Sequence, residues 1–294
     1  MTDIVTILIR KGLSNIVLYD LVSFKTRNLV NNFFYYAAIL LAIAVCFYLA
    51  YRRLKKNGYS QKQAATFSLI TGLTAFPLGI LSSRGANMFY SPPELWSLSE
   101  FFIQTFSGGI HTFHTCWVLP TIMIIITARL LKIRVIEIFD IEFLYMPVGH
   151  AIGRVGCLLA GCCWGERTSC QIGKTIYDFY TPIPLLAILN NMLLFFCLRF
   201  LFNKIYYIRT ESGQNLINRE QNDITRQIFA GAVIGTYFCG YGINRFLLEY
   251  IRTEKIISLG LTQAQLAMII YIITGLSFFT IVGLKFFLNK QSQK

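Results

Sequence analysis

The sequence predicts an all-α, polytopic membrane protein with seven transmembrane helices, its N-terminus outside and its C-terminus inside. Composition is the first observation behind this prediction: 55% of the 294 residues are hydrophobic and 14% are charged, whereas soluble domains have about 25% charged residues. The second observation is where the basic residues stand. They give the chain a formal net charge of +13, and most lie at the ends of apolar runs, as membrane-flanking residues do. This distribution argues for a lipid bilayer as partner and against nucleic acid.

Seven apolar runs are each long enough to cross a hydrocarbon layer of about 30 Å. They cover approximately residues 33–51, 66–83, 113–131, 141–159, 184–202, 228–248 and 261–284. We expect residues 1–30 to form an interfacial segment and residues 31–287 to form the transmembrane domain. That domain would include an outer arm at 85–112 and a cytoplasmic loop at 204–227, with a cytoplasmic tail at 288–294. The N-out, C-in orientation is predicted because it puts the larger share of Lys and Arg residues inside.

The polar centre of the chain is predicted in the fourth run. Residues 146–165 are apolar but carry His150 and Arg154 among several glycines. The i,i+4 spacing puts both side chains on one helix face, and an arginine inside a span is usually kept where it meets an anion in a polar cavity. The alternatives are that Arg154 extends to the membrane interface and that His150 is a packing residue.

Two further arginines are expected to face the same leaflet as Arg154. Arg84 follows the second run, and Arg245 lies in the sixth. Three arginines at matching depth suggest an anionic head group, most simply a phosphate. One face of the sixth run carries polar residues at helical spacing, namely Tyr241, Arg245, Glu249 and Arg252. The alternative for Arg245 and Glu249 is an ion pair that only stabilises the helix.

Two histidines, His111 and His114, follow the turn-forming pair Gly108-Gly109 just before the third run. Histidine is the natural proton acceptor near neutral pH, so either could act as a base at the outer face. Two interfacial histidines without a catalytic role are the alternative.

Four cysteines cluster around the end of the fourth run, at positions 157, 162, 163 and 170. With His150 they could bind a metal, which would suit a non-catalytic metal or redox membrane protein. However, there is no Cys-x-x-Cys pair, and the spacing fits no common metal site. We therefore expect neither a metal nor a cofactor.

Several of these motifs together resemble the prolipoprotein diacylglyceryl transferase family. Gly153-Arg-Val-Gly-Cys157 and Gly161-Cys-Cys-Trp-Gly165 are similar to the signature of a cysteine-bearing branch of that family. Further similar segments, in the family's order and spacing, are Arg84–Tyr90, Gly108–His114, Tyr241–Arg252 and Thr262–Leu266. The resemblance covers roughly residues 31–285.

The resemblance implies a bacterial inner-membrane transferase with its active site facing the outer leaflet. It would move diacylglyceryl from phosphatidylglycerol to the thiol of the lipobox cysteine of a lipoprotein precursor. The implied catalytic residues are Arg154 and Arg245 on the phosphate, His114 as proton acceptor and Tyr241 as hydrogen-bonding partner. The implied substrate-binding residues are Arg84, His111, His150, Glu249, Arg252 and Gln265. A paralogue that transfers a lipid-derived group to another acceptor is the alternative.

The chain departs from the family pattern at several places. Cys157 stands where the family often has Asn, and Thr115-Cys116 follow His114 where it usually has Gly-Gly. The segment Pro182–Ala187 lacks the family's Gln, Tyr and Glu. These departures bear on the substrate more than on the fold.

Overall fold

The structure is a computed structural model, in which backbone contacts divide the chain into two units. One unit is 1–42 together with 139–294, and the other is 43–138; each is described by itself. The residues described are 24–90, 116–160, 163, 165, 167–172, 175–206, 227–252, 256–258 and 260–292.

Helices make up most of the described residues. They are α1 Phe24–Lys56, α2 Gln61–Tyr90, α3 Val118–Leu130, α4 Val135–Ala160, α5 Ile183–Tyr206, α6 Ala232–Glu249 and α7 Gln263–Ser292. Two short antiparallel hairpins, which the sequence analysis did not predict, pair β1 Arg167–Ile172 with β2 Thr175–Tyr180 and β3 Ile256–Ser258 with β4 Leu261–Thr262. Both hairpins are small beside the helices, so the all-α class is retained.

Five of the described helices are long and apolar enough to cross a membrane. Their qualifying segments are Phe33–Lys56, Gln61–Ser83, Val135–Ala160, Ile183–Tyr206 and Gln263–Gln291. The predicted third span is represented among the described residues by the 13-residue α3, which at 1.5 Å per residue is about 20 Å long. The predicted sixth span corresponds to α6, whose apolar character is reduced by Asn244, Arg245 and Glu249. The protein is thus an all-α, multi-pass membrane protein, while seven spans and the orientation remain predictions.

The helices α2 and α7 begin with the same side-chain arrangement. The Ser60 N–H donates to Gln63 Oε1 (3.1 Å), and the Gln63 N–H donates to Ser60 Oγ (3.2 Å). Thr262 and Gln265 repeat these two bonds at 3.0 and 3.2 Å. This reciprocal pairing is a capping box, which satisfies backbone donors that the first turn of a helix leaves unpaired.

The beginning of α6 is capped by an aspartate from α4. Asp140 is fully buried, and its Oδ2 accepts hydrogen bonds from the Gly231 N–H (2.9 Å) and the Tyr206 hydroxyl (2.7 Å). Its Oδ1 accepts a bond from the Ile234 N–H (3.1 Å). Gly231 has φ +98°, a left-handed conformation that favours glycine. A carboxylate at a helix N-terminus also interacts favourably with the helix dipole, so Asp140 joins α4, the end of α5 and the start of α6.

Small residues bring α6 and α7 close together. A Cβ atom added at Gly275 would lie 2.8 Å from the Gly235 carbonyl oxygen and 2.5 Å from Cys239 Sγ. Close backbone approach of this kind is a common way of packing helices in membranes. It holds α7, and with it the capping box at Thr262, against α6.

In the unit 43–138, the α1–α2 turn is joined to the α3–α4 turn. The buried Glu137 accepts hydrogen bonds from Asn57 Nδ2 (2.7 Å) and the Tyr59 hydroxyl (3.1 Å). Gln63 Nε2 donates to the Leu131 carbonyl oxygen (2.9 Å). Burial, and to a smaller extent the charge of Glu137, raises the pKa of Tyr59 to about 12. The hydroxyl therefore stays protonated and donates a hydrogen bond to the Glu137 carboxylate.

The cap on α6 predicts a stability difference between two buried acids of α4. Asp140→Asn puts an amide NH₂ where a carboxylate oxygen accepts hydrogen bonds, and we expect a loss of about 2–3 kcal/mol. Glu142 is a matched control, because it is also buried and its Oε1 has no hydrogen-bond partner among the described residues. Glu142→Gln should therefore change stability by less than about 1 kcal/mol. Thermal unfolding of both purified variants in detergent measures the difference, and equal losses would contradict the capping role of Asp140.

Candidate anion-binding site

The candidate site lies in the unit 1–42 with 139–294, where α4 and α6 run parallel and in register. Asp140 contacts Gly231, 91 residues later in the chain. His150 contacts Tyr241, again 91 residues later, with ring centroids 4.8 Å apart. Both helices rise 1.5 Å per residue, so the register should continue for another turn. Arg154 and Arg245 are also 91 residues apart, so the same register predicts that they lie at the same level on neighbouring helices.

Three predicted site residues form one group, which we call the histidine–arginine cluster: His150, Arg154 and Tyr241. The His150 ring packs against Tyr241, and the side chain of Asn191 on α5 lies near the His150 ring. Tyr237 stacks on Tyr241, with centroids 5.6 Å apart and an interplanar angle of 9°. The Arg154 guanidinium interacts electrostatically with Tyr241. Aromatic packing on one side thus fixes the two rings beside a cationic group.

Two cysteines flank Arg154. Arg154 Nη1 lies 4.0 Å from Cys157 Sγ, and Cys157 is buried. Arg154 also interacts electrostatically with Cys163, which has φ +63° in the segment after α4. The three-residue spacing of Arg154 and Cys157 on α4 accounts for this contact. Sulfur is a weak hydrogen-bond acceptor, so this contact leaves the guanidinium with considerable capacity for other acceptors.

A second group, the glutamate cluster, is built around Glu249 and contains Arg245, Arg252 and Thr262. Glu249 Oε2 forms an ion pair with Arg245 and lies 3.9 Å from Arg252 Nη1. Its Oε1 accepts a hydrogen bond from the Thr262 hydroxyl (3.1 Å). The Glu249 side chain is 1% exposed, against 12% for Arg245 and 15% for Arg252. A carboxylate buried this deeply needs several partners to offset its desolvation, so Glu249 orients the two more accessible arginines.

Gln265 has a structural position that the sequence analysis did not anticipate. It forms the capping box with Thr262, whose hydroxyl also bonds Glu249. Gln265 therefore acts at the start of α7 and supports the glutamate cluster through Thr262, while its contact with substrate remains a prediction. The pattern Thr-x-x-Gln was a visible signal for the cap. Its link to Glu249 was not visible, because that contact depends on how α6 and α7 pack.

The two clusters together favour an anionic ligand. Glu249 pairs with Arg245 and lies 3.9 Å from Arg252. Together with Arg154 on α4, these side chains carry a formal net charge of +2. Guanidinium groups match phosphate geometry through paired N–H donors. Partial burial strengthens such a contact by lowering the local dielectric constant. A phosphate group at the level of Arg154 and Arg245 would suit this charge.

Other predicted site residues have different positions. Arg84 is in α2, within the unit 43–138, and His111 and His114 lie outside the described residues. Of the clustered cysteines, Cys162 lies outside the described residues, and only the backbone of Cys170 is described, in β1. Among the described residues there is no group of three or more His, Cys, Asp or Glu side chains that could hold a metal ion.

The fold and these clusters define a multi-pass helical membrane protein with a buried, positively charged polar centre. The chain belongs to the prolipoprotein diacylglyceryl transferase family, whose profile matches residues 29–281. The resemblance drawn from the sequence motifs is thereby confirmed.

The individual relatives are distant in sequence, but two of the matches cover most of both proteins. The chain is 23% identical over 262 residues to the phosphatidylglycerol–prolipoprotein diacylglyceryl transferase of Clostridium tetani, covering 84% of this chain and 92% of that protein. It is 25% identical over 262 residues to the enzyme of the same name from Dehalococcoides mccartyi, covering 88% and 92%. A match to transferase 2 of Clostridium perfringens has 28% identity over 149 residues and spans about half of each protein, 49% and 51%.

Proposed function

We propose that this protein transfers the diacylglyceryl group of phosphatidylglycerol to the thiol of the lipobox cysteine in a lipoprotein precursor. Membership of the transferase family supports this reaction. The structural observation that supports it is the parallel register of α4 and α6 with Arg154 beside Tyr241, a register that would bring Arg154 level with Arg245. Two arginines held in this way suit the phosphate of a phospholipid head group.

The reaction itself is a displacement at the glyceryl carbon. The precursor thiolate attacks that carbon, a C–S bond forms, and the C–O bond to the phosphate breaks. The bonding electron pair goes to the phosphate oxygen, so glycerol phosphate leaves as an anion. Arg154 and Arg245 accelerate the reaction if they interact more strongly with this oxygen as its charge develops.

The remaining residues have supporting roles in this proposal. His114 takes the thiol proton, a role that rests on the family resemblance. Tyr241 contributes a hydroxyl beside Arg154, and Glu249 holds Arg245 in position through its ion pair. Arg252 adds positive charge next to Glu249. Pre-orientation by Glu249 reduces the entropy lost when Arg245 binds the phosphate.

In the membrane, we place the protein in the bacterial inner membrane with seven spans, the N-terminus outside and the C-terminus inside. The ends of α4 and α6 that carry Arg154 and Arg245 would then face the outer leaflet. The distribution of Lys and Arg residues along the sequence supports this orientation. The parallel course of α4 and α6 supports a common level for the two arginines.

A second candidate is transfer of the same lipid group to another acceptor. It is favoured by the segment Pro182–Ala187, which lacks the family's Gln, Tyr and Glu. In the structure Ile183, Pro184 and Ala187 are buried at the start of α5, so this segment offers packing surface where relatives have polar groups. Comparing a lipobox peptide with peptides that carry a cysteine outside a lipobox distinguishes the two candidates.

The proposed contact between Arg154 and phosphate predicts different turnover for two variants. Arg154→Lys keeps the charge but loses the planar fork, and turnover should fall at least tenfold, about 1.4 kcal/mol of transition-state stabilisation. Cys157→Asn, a change one helical turn away to the residue that the family often has there, should retain activity. The measurement is transfer of labelled diacylglyceryl to a lipobox peptide by each purified variant in phosphatidylglycerol micelles. Near-wild-type turnover of Arg154→Lys would rule out a two-bond contact between Arg154 and the phosphate. The second test concerns Cys157. If Cys157→Asn is folded but inactive, and the wild-type protein carries a lipid adduct on Cys157, direct attack of the precursor thiolate on phosphatidylglycerol is ruled out.

The orientation is tested with fusions at the C-terminus. A green fluorescent protein fused after Lys294 should fluoresce, because that reporter folds in the cytoplasm. Alkaline phosphatase at the same position should be inactive, since it matures outside the cytoplasmic membrane. An active phosphatase fusion together with a dark fluorescent fusion would reverse the proposed topology.

A further inference from the structure

The unit 43–138 carries a dense group of exposed cations at its two turns. We call it the basic surface; it consists of Arg52, Lys55, Lys56, Lys62, Arg129, Lys132 and Arg134. The first four of these residues lie at or beside the α1–α2 turn, and the last three lie at the α3–α4 turn. Each of the seven side chains is exposed.

Hydrogen bonds hold the two turns together, so the seven cations form one surface. Glu137 of α4 accepts bonds from Asn57 and Tyr59 in the α1–α2 turn. The Tyr59 hydroxyl in turn accepts a bond from the Arg134 N–H (3.3 Å). Gln63 Nε2 adds the bond to the Leu131 carbonyl oxygen at the end of α3. The turns are therefore fixed side by side by four bonds between residues far apart in sequence.

The charge of this surface is almost entirely positive toward solvent. Among the described residues of 43–138, Glu137 is the only acidic residue, and it is 5% exposed. Its carboxylate is occupied by the hydrogen bonds that join the turns. The exposed cations consequently repel one another in the bare protein, and an anion that binds between them would relieve that repulsion.

Aromatic contacts place two of the cations at a membrane boundary. The Arg52 guanidinium lies 6.0 Å from the centre of the Tyr48 ring, and Lys55 Nζ lies 5.7 Å from the centre of the Tyr51 ring. Tyr rings with adjacent Lys and Arg residues are typical of the layer where lipid head groups meet hydrocarbon. These residues stand in the last three turns of α1, a helix apolar enough to span the membrane. An anion in the head-group layer is therefore favoured over a soluble polyanion.

We propose that the basic surface binds the phosphate groups of anionic phospholipids in the leaflet next to it, independently of the phosphatidylglycerol donor. Basic residues beside a span attract anionic lipids individually. Here two turns present seven such residues on a surface fixed by Glu137, so neighbouring cations can contact the same phosphate. This gives the surface a preference for anionic head groups beyond the general attraction of scattered charges.

The proposal is tested by the lipid preference of the purified full chain in phosphatidylcholine bilayers. Spin-labelled phosphatidic acid and spin-labelled phosphatidylcholine are compared by electron paramagnetic resonance, which measures how strongly each lipid associates with the protein. Wild type should prefer phosphatidic acid. In the combined variant Lys55→Gln, Lys132→Gln, Arg134→Gln, the preference for phosphatidic acid over phosphatidylcholine should be at least about threefold weaker than in wild type, because the variant removes cations from both turns.

Three control variants test whether the preference depends on the position of the cations, on their charge, and on the proposed donor site. Removing three exposed cations elsewhere, with Arg199→Gln, Lys204→Gln and Lys285→Gln, should leave most of the preference. Exchanging the charges for equivalent ones, with Lys55→Arg, Lys132→Arg and Arg134→Lys, should also retain it. Arg154→Lys, in the proposed donor site, should leave it unchanged.

Three results would overturn the proposal. One is a wild-type protein without preference for phosphatidic acid. Another is an equal loss in the basic-surface variant and in the three-cation control, which would mean that the charges act only through diffuse attraction. Loss of the preference in Arg154→Lys would assign the measured lipid to the donor site and would equally reject a separate surface.

Discussion

The hydrogen bonds of Asp140 are the contact on which the arrangement of the candidate site depends. They cap α6 from α4 and include the end of α5 through Tyr206. Because the cap fixes the starting level of α6 against α4, every later pair along the two helices inherits that register. His150 meets Tyr241 as a consequence, and the same register would bring Arg154 level with Arg245. A shift of one residue would rotate the facing side chains by about 100° and separate them.

Buried carboxylates recur as organising groups in this protein. Asp140 joins α4, α5 and α6, Glu249 joins α6 to the start of α7, and Glu137 joins the two turns of the unit 43–138. Apolar side chains drive helix association weakly in lipid, because lipid tails are equally apolar. A charged acceptor that collects donors from several segments is costly to leave unpaired, so it specifies one arrangement. The same groups therefore explain both the fold and the orientation of the arginines.

Helical spacing was sufficient to predict much of the candidate site. His150 with Arg154, and Tyr241 with Arg245 and Glu249, are local patterns in sequence, and each pair lies on one helix face as expected. The ion pair between Arg245 and Glu249 was considered as an alternative to ligand binding; the structure contains that pair, and an oriented guanidinium can still bind an anion. Apolar runs likewise predicted a multi-pass helical protein.

The contacts that could not be predicted from the sequence are those that depend on how separate segments of the chain pack together. Asp140 and Gly231 are 91 residues apart, and no local pattern connects them. The bond between Thr262 and Glu249 and the hairpin of β1 with β2 also depend on which segments meet in space. The helix α6 is not among the five described helices that are apolar enough to span, for a different reason: Asn244, Arg245 and Glu249 make it less apolar than a purely lipid-facing helix.

The central claim is that the paired arginines of α4 and α6 serve diacylglyceryl transfer to lipoprotein precursors. The most direct measurement is to express this chain in bacteria depleted of their own prolipoprotein diacylglyceryl transferase and to analyse a lipoprotein by mass spectrometry. The account predicts that the precursor cysteine gains a diacylglyceryl group with the wild-type chain, and not with Arg154→Ala or Arg245→Ala at equal membrane levels. Precursor that stays unmodified despite a folded, membrane-inserted wild-type chain would contradict it.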